Sequence, residues 1–255
     1  MLKSLRVITA LILREMATTY GKSLLGYLWA FLQPVGSIAL FTLVISIGLR
    51  VKHPGIGTSF ILFYASGIFP YSVAMETAKK VGKSVNYSKS LLKYPVVTLI
   101  DAIIARVALI ALTMTAVYSS IFIGIIFGFS LDVSVSFSAI AAAFSCAILF
   151  GLGLGTLNCY LFYRFPAWTS IWAIITRPLF LLSTIIYSFE QIPSQYQYAM
   201  TYNPLVHLVG LMRRGIYVTY EANYVSNLYV IFVGMILLVI GLTLTGRYYK
   251  RMLYA

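Results

Sequence analysis

Between Lys22 and Arg50 the chain carries no charged residue, and the run Ser23 to Leu49 is almost wholly apolar. About 20 such residues cross a bilayer as a helix. The pattern repeats along the chain. Six runs, roughly 27–49, 58–78, 103–129, 136–162, 167–189 and 224–246, are each long enough for one crossing. The expected fold class is all-α: a polytopic membrane protein with six transmembrane helices. Glycines and prolines inside the runs do not argue against this, because neighbouring helices can satisfy the freed backbone groups.

Three of the polar connections carry a pattern of their own. In 4–20, Leu5, Ile8, Ile12 and Met16 recur at helical spacing, with Arg6, Arg14 and Glu15 elsewhere. That predicts an amphipathic helix lying in the membrane surface, apolar face down. The loop 79–100 is basic, contains Tyr94-Pro95 and has room for a short helix. The connection 190–223 is too polar to span, yet Leu205 to Tyr217 is largely apolar. Short re-entrant or interfacial helices dipping into the outer leaflet fit it better than an open loop. The chain therefore reads as a single transmembrane domain over 1–255: an interface helix in 1–22, spans one to five in 27–189, an outer re-entrant segment in 190–223, span six in 224–246 and a tail in 247–255.

Charge sets the orientation. Of the 19 Lys and Arg residues, fourteen fall on one side: Lys3, Arg6, Arg14, Lys22, Lys79, Lys80, Lys83, Lys89, Lys93, Arg106, Arg164, Arg247, Lys250 and Arg251. Arg50, Lys52, Arg213 and Arg214 fall on the other, and Arg177 lies within the fifth run. The positive-inside bias then puts both termini in the cytoplasm. The same bias accounts for the net charge of +13, since the cations flank apolar runs and form no basic face; nucleic acid is not an expected partner. The composition agrees: 60% hydrophobic and 10% charged, against roughly 25% charged in soluble domains. Arg6, Arg14 and Glu15 interrupt any signal-peptide core, so none is expected. Cys146 and Cys159 share one run, roughly 20 Å apart on a helix, too far to bridge. His53 and His207 stand alone, which gives a metal site little support.

Candidate chemistry is sparse. Gly21-Lys22-Ser23 resembles the end of a phosphate-binding loop, but Met16 stands where the loop needs glycine. No ATP site is expected on this chain. Gly151 and Gly155 make a small-xxx-small face for close helix packing. Arg177, beside Pro178 in mid-run, faces cargo or water, or is a snorkelling or internally paired arginine with Asp101 or a free carbonyl as partner. Asp101 and Arg106 read as an interfacial pair at the entry of the third run. Arg213 and Arg214, with His207, Tyr202, Tyr217 and Tyr220 nearby, suit an anionic or sugar-rich cargo or the outer lipid headgroups. No paired carboxylates, Ser–His–Asp set or Cys/His cluster appears, and no acid lies deep enough for a proton relay. An external energy source is left.

The stretch Arg14-Glu15-Met16, then Tyr20-Gly21-Lys22-Ser23-Leu24-Leu25-Gly26-Tyr27-Leu28-Trp29 and Pro34, resembles the N-terminal signature of type-2 ABC exporter permeases. Further matches follow in order: Asn86, Leu91 to Val97, Asp101, Ala105-Arg106, Arg164-Phe165-Pro166, Pro178-Leu179, and Asn203-Pro204-Leu205 with His207 and Arg213. More narrowly, the chain is similar to the membrane subunit of capsular polysaccharide exporters. Two positions depart from that pattern: Gly210, where relatives often carry a carboxylate, and Thr184, where they often carry glycine after serine.

The resemblance implies a homodimer in the bacterial inner membrane with two separate ATPase subunits, which would hold ATP and Mg. The implied cargo is lipid-linked polysaccharide, handed on to periplasmic and outer-membrane export proteins. The ATPase would couple through Arg14, Glu15, Lys83, Asn86, Lys89, Lys93, Tyr94 and Pro95, and the cargo would pass Arg177, Arg213, Arg214, His207, Tyr202 and Tyr217. Rival readings are an exporter of O-antigen, teichoic acid, lipid or drug, a membrane glycosyl- or acyltransferase, and a passive channel.

Overall fold

The computed structural model describes residues 2–19, 24–48, 53–94 and 96–254. Tyr20 to Ser23, Arg50, Lys52 and Pro95, all used in the sequence readings, lie outside the described residues. Every regular element among the described residues is helical. They are α1 (Leu2–Thr19), α2 (Leu24–Leu43, continued by a π turn Val44–Gly48), α3 (Phe60–Gly82), α4 (Ser84–Ser88), α5 (Leu99–Gly128), α6 (Phe137–Arg164), α7 (Trp168–Leu181), α8 (Ser194–Met200), α9 (Pro204–Ile216) and α10 (Asn227–Tyr254). A single 3-10 turn, Phe189–Gln191, precedes α8.

Leu28–Ser46, Leu99–Gly128, Phe137–Arg164 and Asn227–Tyr254 are long and apolar enough to cross a membrane. α3 is 23 residues long, or about 34 Å, but it is less apolar. Leu62 to Pro70 are buried without interruption, so protein surrounds this part of α3 on all sides.

The fifth predicted run needs correction. It is not one helix over 167–189. α7 stops at Leu181, and 14 residues give only about 21 Å. Pro178 has no N–H to continue the ladder. Beyond it the chain turns through Ser183 and Thr184, both buried, with Thr184 at φ 55. That left-handed conformation is uncommon for a β-branched residue. Glycine would adopt it without steric cost.

α6 is the centre of the molecule. Its glycines face two ways, as i, i+2 and i+4 must on a helix. A Cβ at Gly151 would collide with the Ala74 carbonyl of α3 and lie 2.8 Å from Thr77 Cβ, and one at Gly155 would lie 2.6 Å from Val81 Cβ. On the opposite side a Cβ at Gly153 would fall 2.9 Å from Leu237 Cβ of α10. The two helices run parallel, and Thr245 Oγ1 donates to the Thr156 carbonyl at 3.0 Å. Apolar side chains fill the remaining space, with Phe69 stacked on Tyr118 at 4.2 Å between α3 and α5. α2 and α7 stay at the edge. Ile38 is the one buried side chain described in α2, and α7 has none. These two helices meet through Phe41 and Phe180, whose rings stack at 5.2 Å.

Candidate functional site: a charged node, a cavity and a locked irregular segment

At one end of the bundle four helices converge on a single guanidinium. α5 begins with a capping box in which Thr98 Oγ1 accepts from the Asp101 N–H at 3.2 Å and Asp101 Oδ2 accepts from the Thr98 N–H at 3.2 Å. The other carboxylate oxygen accepts from Ser4 Oγ of α1 at 2.6 Å. Arg106 is buried further along α5. Its Nη1 donates to the Lys80 carbonyl at 2.6 Å, near the end of α3. Its Nε lies 3.3 Å from Glu15 Oε1 of α1, and its guanidinium sits 4.3 Å from the centre of the Tyr87 ring in α4. Thr18 and Tyr87 join their hydroxyls beside it.

Two expectations are corrected here. Asp101 and Arg106 do not pair with each other, and Asp101 does not pair with Arg177. Five residues turn a helix by about 140° beyond a full turn, so the two side chains on α5 leave in different directions. Glu15 does not face outward to a partner either. It is 9% exposed and occupied by Arg106. Burial raises its pKa above the ordinary 4.5, against the opposing pull of Arg106. The outward surface is built instead by Lys83, Asn86, Lys93 and Tyr94, which are exposed, with Lys89 and Arg14 half-buried.

α1 packs through Ser4, Leu11, Glu15 and Thr18, which share one stripe. The apolar stripe expected to face lipid lies beside it, with Leu5 59% exposed and Ile8, Ile12 and Met16 half-buried. The helix therefore has one face for protein and a neighbouring one free for another surface.

Above the node a cavity of about 640 Å³ opens between α2, α3 and α5. Trp29, Gln33, Tyr71, Ser72, Glu76 and Thr113 are among its walls. Amide, hydroxyl, carboxylate and aromatic surfaces thus meet in one space within the apolar body. The sequence reading did not find this cavity. A signal existed: Gln33 and Ser37 are polar, four apart, and interrupt the first run on one helix face. Their convergence with α3 and α5 depends on packing.

The predicted outer residues do not form one site. Arg213 is fully buried. It donates from Nη2 to the Ile185 carbonyl at 3.1 Å and from Nη1 to the Tyr187 carbonyl at 3.2 Å, with its charge 4.0 Å from the centre of the Phe63 ring. These carbonyls belong to the irregular chain after α7, which cannot satisfy them by helix formation. Arg213 replaces the missing ladder. Asn203 helps, donating from Nδ2 to the Leu182 carbonyl at 2.9 Å. Gly67 of α3 admits the segment closely, since a Cβ there would lie 3.1 Å from Ile185 Cα.

His207 is also internal, with Nε2 2.7 Å from the Thr201 carbonyl and Nδ1 3.1 Å from the Ser226 N–H. Only the neutral ring with its proton on Nε2 serves both partners. Burial lowers its pKa from 6.5, opposed by the Thr201 bond. Gly210 fits for a related reason: a Cβ there would lie 2.6 Å from the Tyr224 hydroxyl, so a larger side chain has no room. Tyr217 is half-buried, packed against Gly57, and Tyr202 is exposed, its hydroxyl 2.6 Å from that of Tyr198. Arg214 and Arg177 are exposed. Arg213 and His207, expected to face cargo, are internal supports in this structure.

A body of long apolar helices, a charged node at one end and a cavity within it describe a helical membrane protein. The chain belongs to the ABC-2 type transporter family, which it matches over residues 6–217. It is 30% identical over 237 residues to the polysialic acid transport protein KpsM of Escherichia coli, covering 93% of this chain and 91% of that protein. It is 28% identical over 250 residues to the capsule polysaccharide export inner-membrane protein CtrC of Neisseria meningitidis, covering 96% and 92%. The O-antigen export system permease protein RfbA of Klebsiella pneumoniae is 23% identical over 249 residues, covering 92% and 88%.

Proposed function

We propose that this chain is the membrane-spanning permease subunit of an ATP-driven exporter that moves lipid-linked capsular polysaccharide from cytoplasm to periplasm. The observation that carries this reading is the similarity to KpsM and CtrC over nearly the whole length of each protein. The subunit makes six passes, formed by α2, α3, α5, α6, α7 with its irregular extension, and α10. Both termini are cytoplasmic and the membrane is the bacterial inner membrane. α1 lies in the cytoplasmic interface, and α8 and α9 re-enter from the outer side.

Two copies form the working unit. The exposed apolar faces of α2 and α7 supply the seam between them, since each leaves most of its surface uncovered in one copy. Two ATPase subunits bind below and hold ATP and Mg. They dock on Lys83, Asn86, Lys89, Lys93 and Tyr94, with Arg14 alongside. A push on α4 or α1 reaches α3 and α5 through Arg106, because one buried guanidinium touches all four helices. Tilting the spans as rigid bodies then switches access. The cargo path draws on the cavity wall around Trp29 and Gln33, on Arg177, and on Arg214, Tyr202 and Tyr217 at the outer end. Periplasmic and outer-membrane proteins take the polymer onward.

The likeness to RfbA supports one alternative, an O-antigen cargo in the same class of exporter. Deleting the gene in its source cell and locating the polysaccharide tests both. Capsular polymer held in the cytoplasm, with synthesis intact and O-antigen normally displayed, is the expected result. Normal capsule with missing O-antigen replaces the cargo, and normal display of both overturns the export role.

A further inference from the structure

α6 and α10 run parallel in a fixed register. Thr245 donates to Thr156, and the rings of Tyr160 and Tyr248 lie 5.1 Å apart. An offset of about 88 residues carries that register one turn further, to Arg164 and Arg251 near the ends of both helices. There the two helix ends border a cleft of about 360 Å³, whose walls are Tyr163, Arg164, Tyr248 and Arg251. Each arginine leans over an aromatic ring near it in sequence, Arg164 at 5.1 Å from Phe165 just past α6 and Arg251 at 5.8 Å from Tyr248 of α10. Neither has a carboxylate partner among the described residues. The side chains of both residues are exposed while Tyr163 and Tyr248 are half-buried.

Attraction to the two helix C-termini accounts for one arginine at each end. It does not account for two unpaired forks opening into one space lined by tyrosines. A guanidinium fork matches the spacing of phosphate oxygens, and tyrosine belongs at the headgroup level of a bilayer. Basic pockets between transmembrane helices on the cytoplasmic side take anionic lipid headgroups. We propose that this cleft binds the phosphate headgroup of an anionic membrane phospholipid, with Arg164 and Arg251 as its two ligands and Tyr163 and Tyr248 beside the glycerol and upper acyl carbons. The site rests on the cytoplasmic placement of this end of the bundle and is independent of the cargo.

The test uses the purified full chain in detergent, with dioleoylphosphatidylglycerol and dioleoylphosphatidylcholine supplied in turn and retained lipid counted by native mass spectrometry. Phosphatidylglycerol is retained over phosphatidylcholine. Arg164→Gln and Arg251→Gln each weaken its retention about fivefold and the pair about twenty-fivefold. Arg→Lys at both positions restores part of it, because charge returns without the fork. Lys250→Gln removes the same charge from the exposed side of α10 and leaves retention near wild type. Size-exclusion profiles matched to wild type establish that each variant is folded. Equal retention of the two lipids, or an equal loss in Lys250→Gln and Arg251→Gln, overturns the site and leaves only a general positive surface.

Discussion

Single side chains here do different work from what their type suggests. An arginine within an apolar stretch invites a cargo role, yet Arg213 holds two backbone carbonyls of the broken α7 extension. Its loss leaves both unpaired in a buried place, at about 1–3 kcal/mol each. Arg213→Ala is therefore expected to lower the unfolding temperature in detergent by several degrees and cut the yield of folded protein. Arg177→Ala, at an exposed position, stays within about 0.5 kcal/mol of wild type. An Arg213→Ala protein of normal stability with lost export would return that residue to the cargo path. His207 makes a pH prediction. Its native pKa is depressed, so the stability of the neutral ring is present above 6.5 and is lost as pH falls through the lower native value. The unfolding midpoint should drop as the pH falls below about 6.5, and His207→Gln should flatten that slope. Parallel slopes in the two proteins would show that another group titrates.

At the scale of helices, packing distance decides more than composition. Gly151 and Gly246 are both helical glycines in apolar runs. An added Cβ strikes the Ala74 carbonyl at the first and meets nothing within 4 Å at the second. Gly151→Ala should cost about 1–3 kcal/mol through forced separation of α6 and α3. Gly246→Ala should gain about 0.5–1 kcal/mol from reduced backbone entropy in the unfolded chain. Thermal unfolding of the two variants side by side checks the sign; a Gly151→Ala protein as stable as wild type would mean that α6 and α3 can slide apart freely. The same element shows where sequence reading stopped. Gly151 and Gly155 at four-residue spacing announced a close face in advance. The partners Ala74, Thr77 and Val81 are far along the chain and share no pattern with them.

In the proposed exporter, the end of the bundle that carries the charged node joins a motor. Lys83, Asn86, Lys93 and Tyr94 stand outward, and the Glu15–Arg106 contact stands behind them. Lys89→Glu with Lys93→Glu should weaken co-purification of the ATPase and leave the unfolding temperature of the permease unchanged. Replacing Arg106 by Met should do the reverse: the ATPase still binds, the protein loses about 3 kcal/mol or more as Glu15 is left without its cation, and ATP turnover no longer moves cargo. Pull-down and turnover measured on the same preparations separate docking from transmission. Undiminished ATPase capture by the double Lys variant would move the docking surface elsewhere.

Hydrophobic periodicity determined by itself that this chain is helical and belongs in a membrane, because a stretch without charge has no other low-energy home. The runs at 103–129, 136–162 and 224–246 became α5, α6 and α10 within a few residues, with α10 extending to Tyr254. Lys and Arg spacing could orient the chain, and the motif order could point to a family, since both are properties of the chain read in line. The destinations of Arg106, Arg213 and Glu15 were not legible. Each finds its partner on an element distant in sequence, and a long side chain on a helix reveals its spacing but not which neighbour lies opposite. The break after Leu181 was hidden for a similar reason. Pro178 marked a weakness, but the turn at Ser183 and Thr184 survives because α3 gives it room at Gly67 and α9 and its N-cap supply Arg213 and Asn203 as donors. Burial of irregular backbone becomes affordable only when another part of the fold completes its hydrogen bonds, and that is settled by tertiary structure.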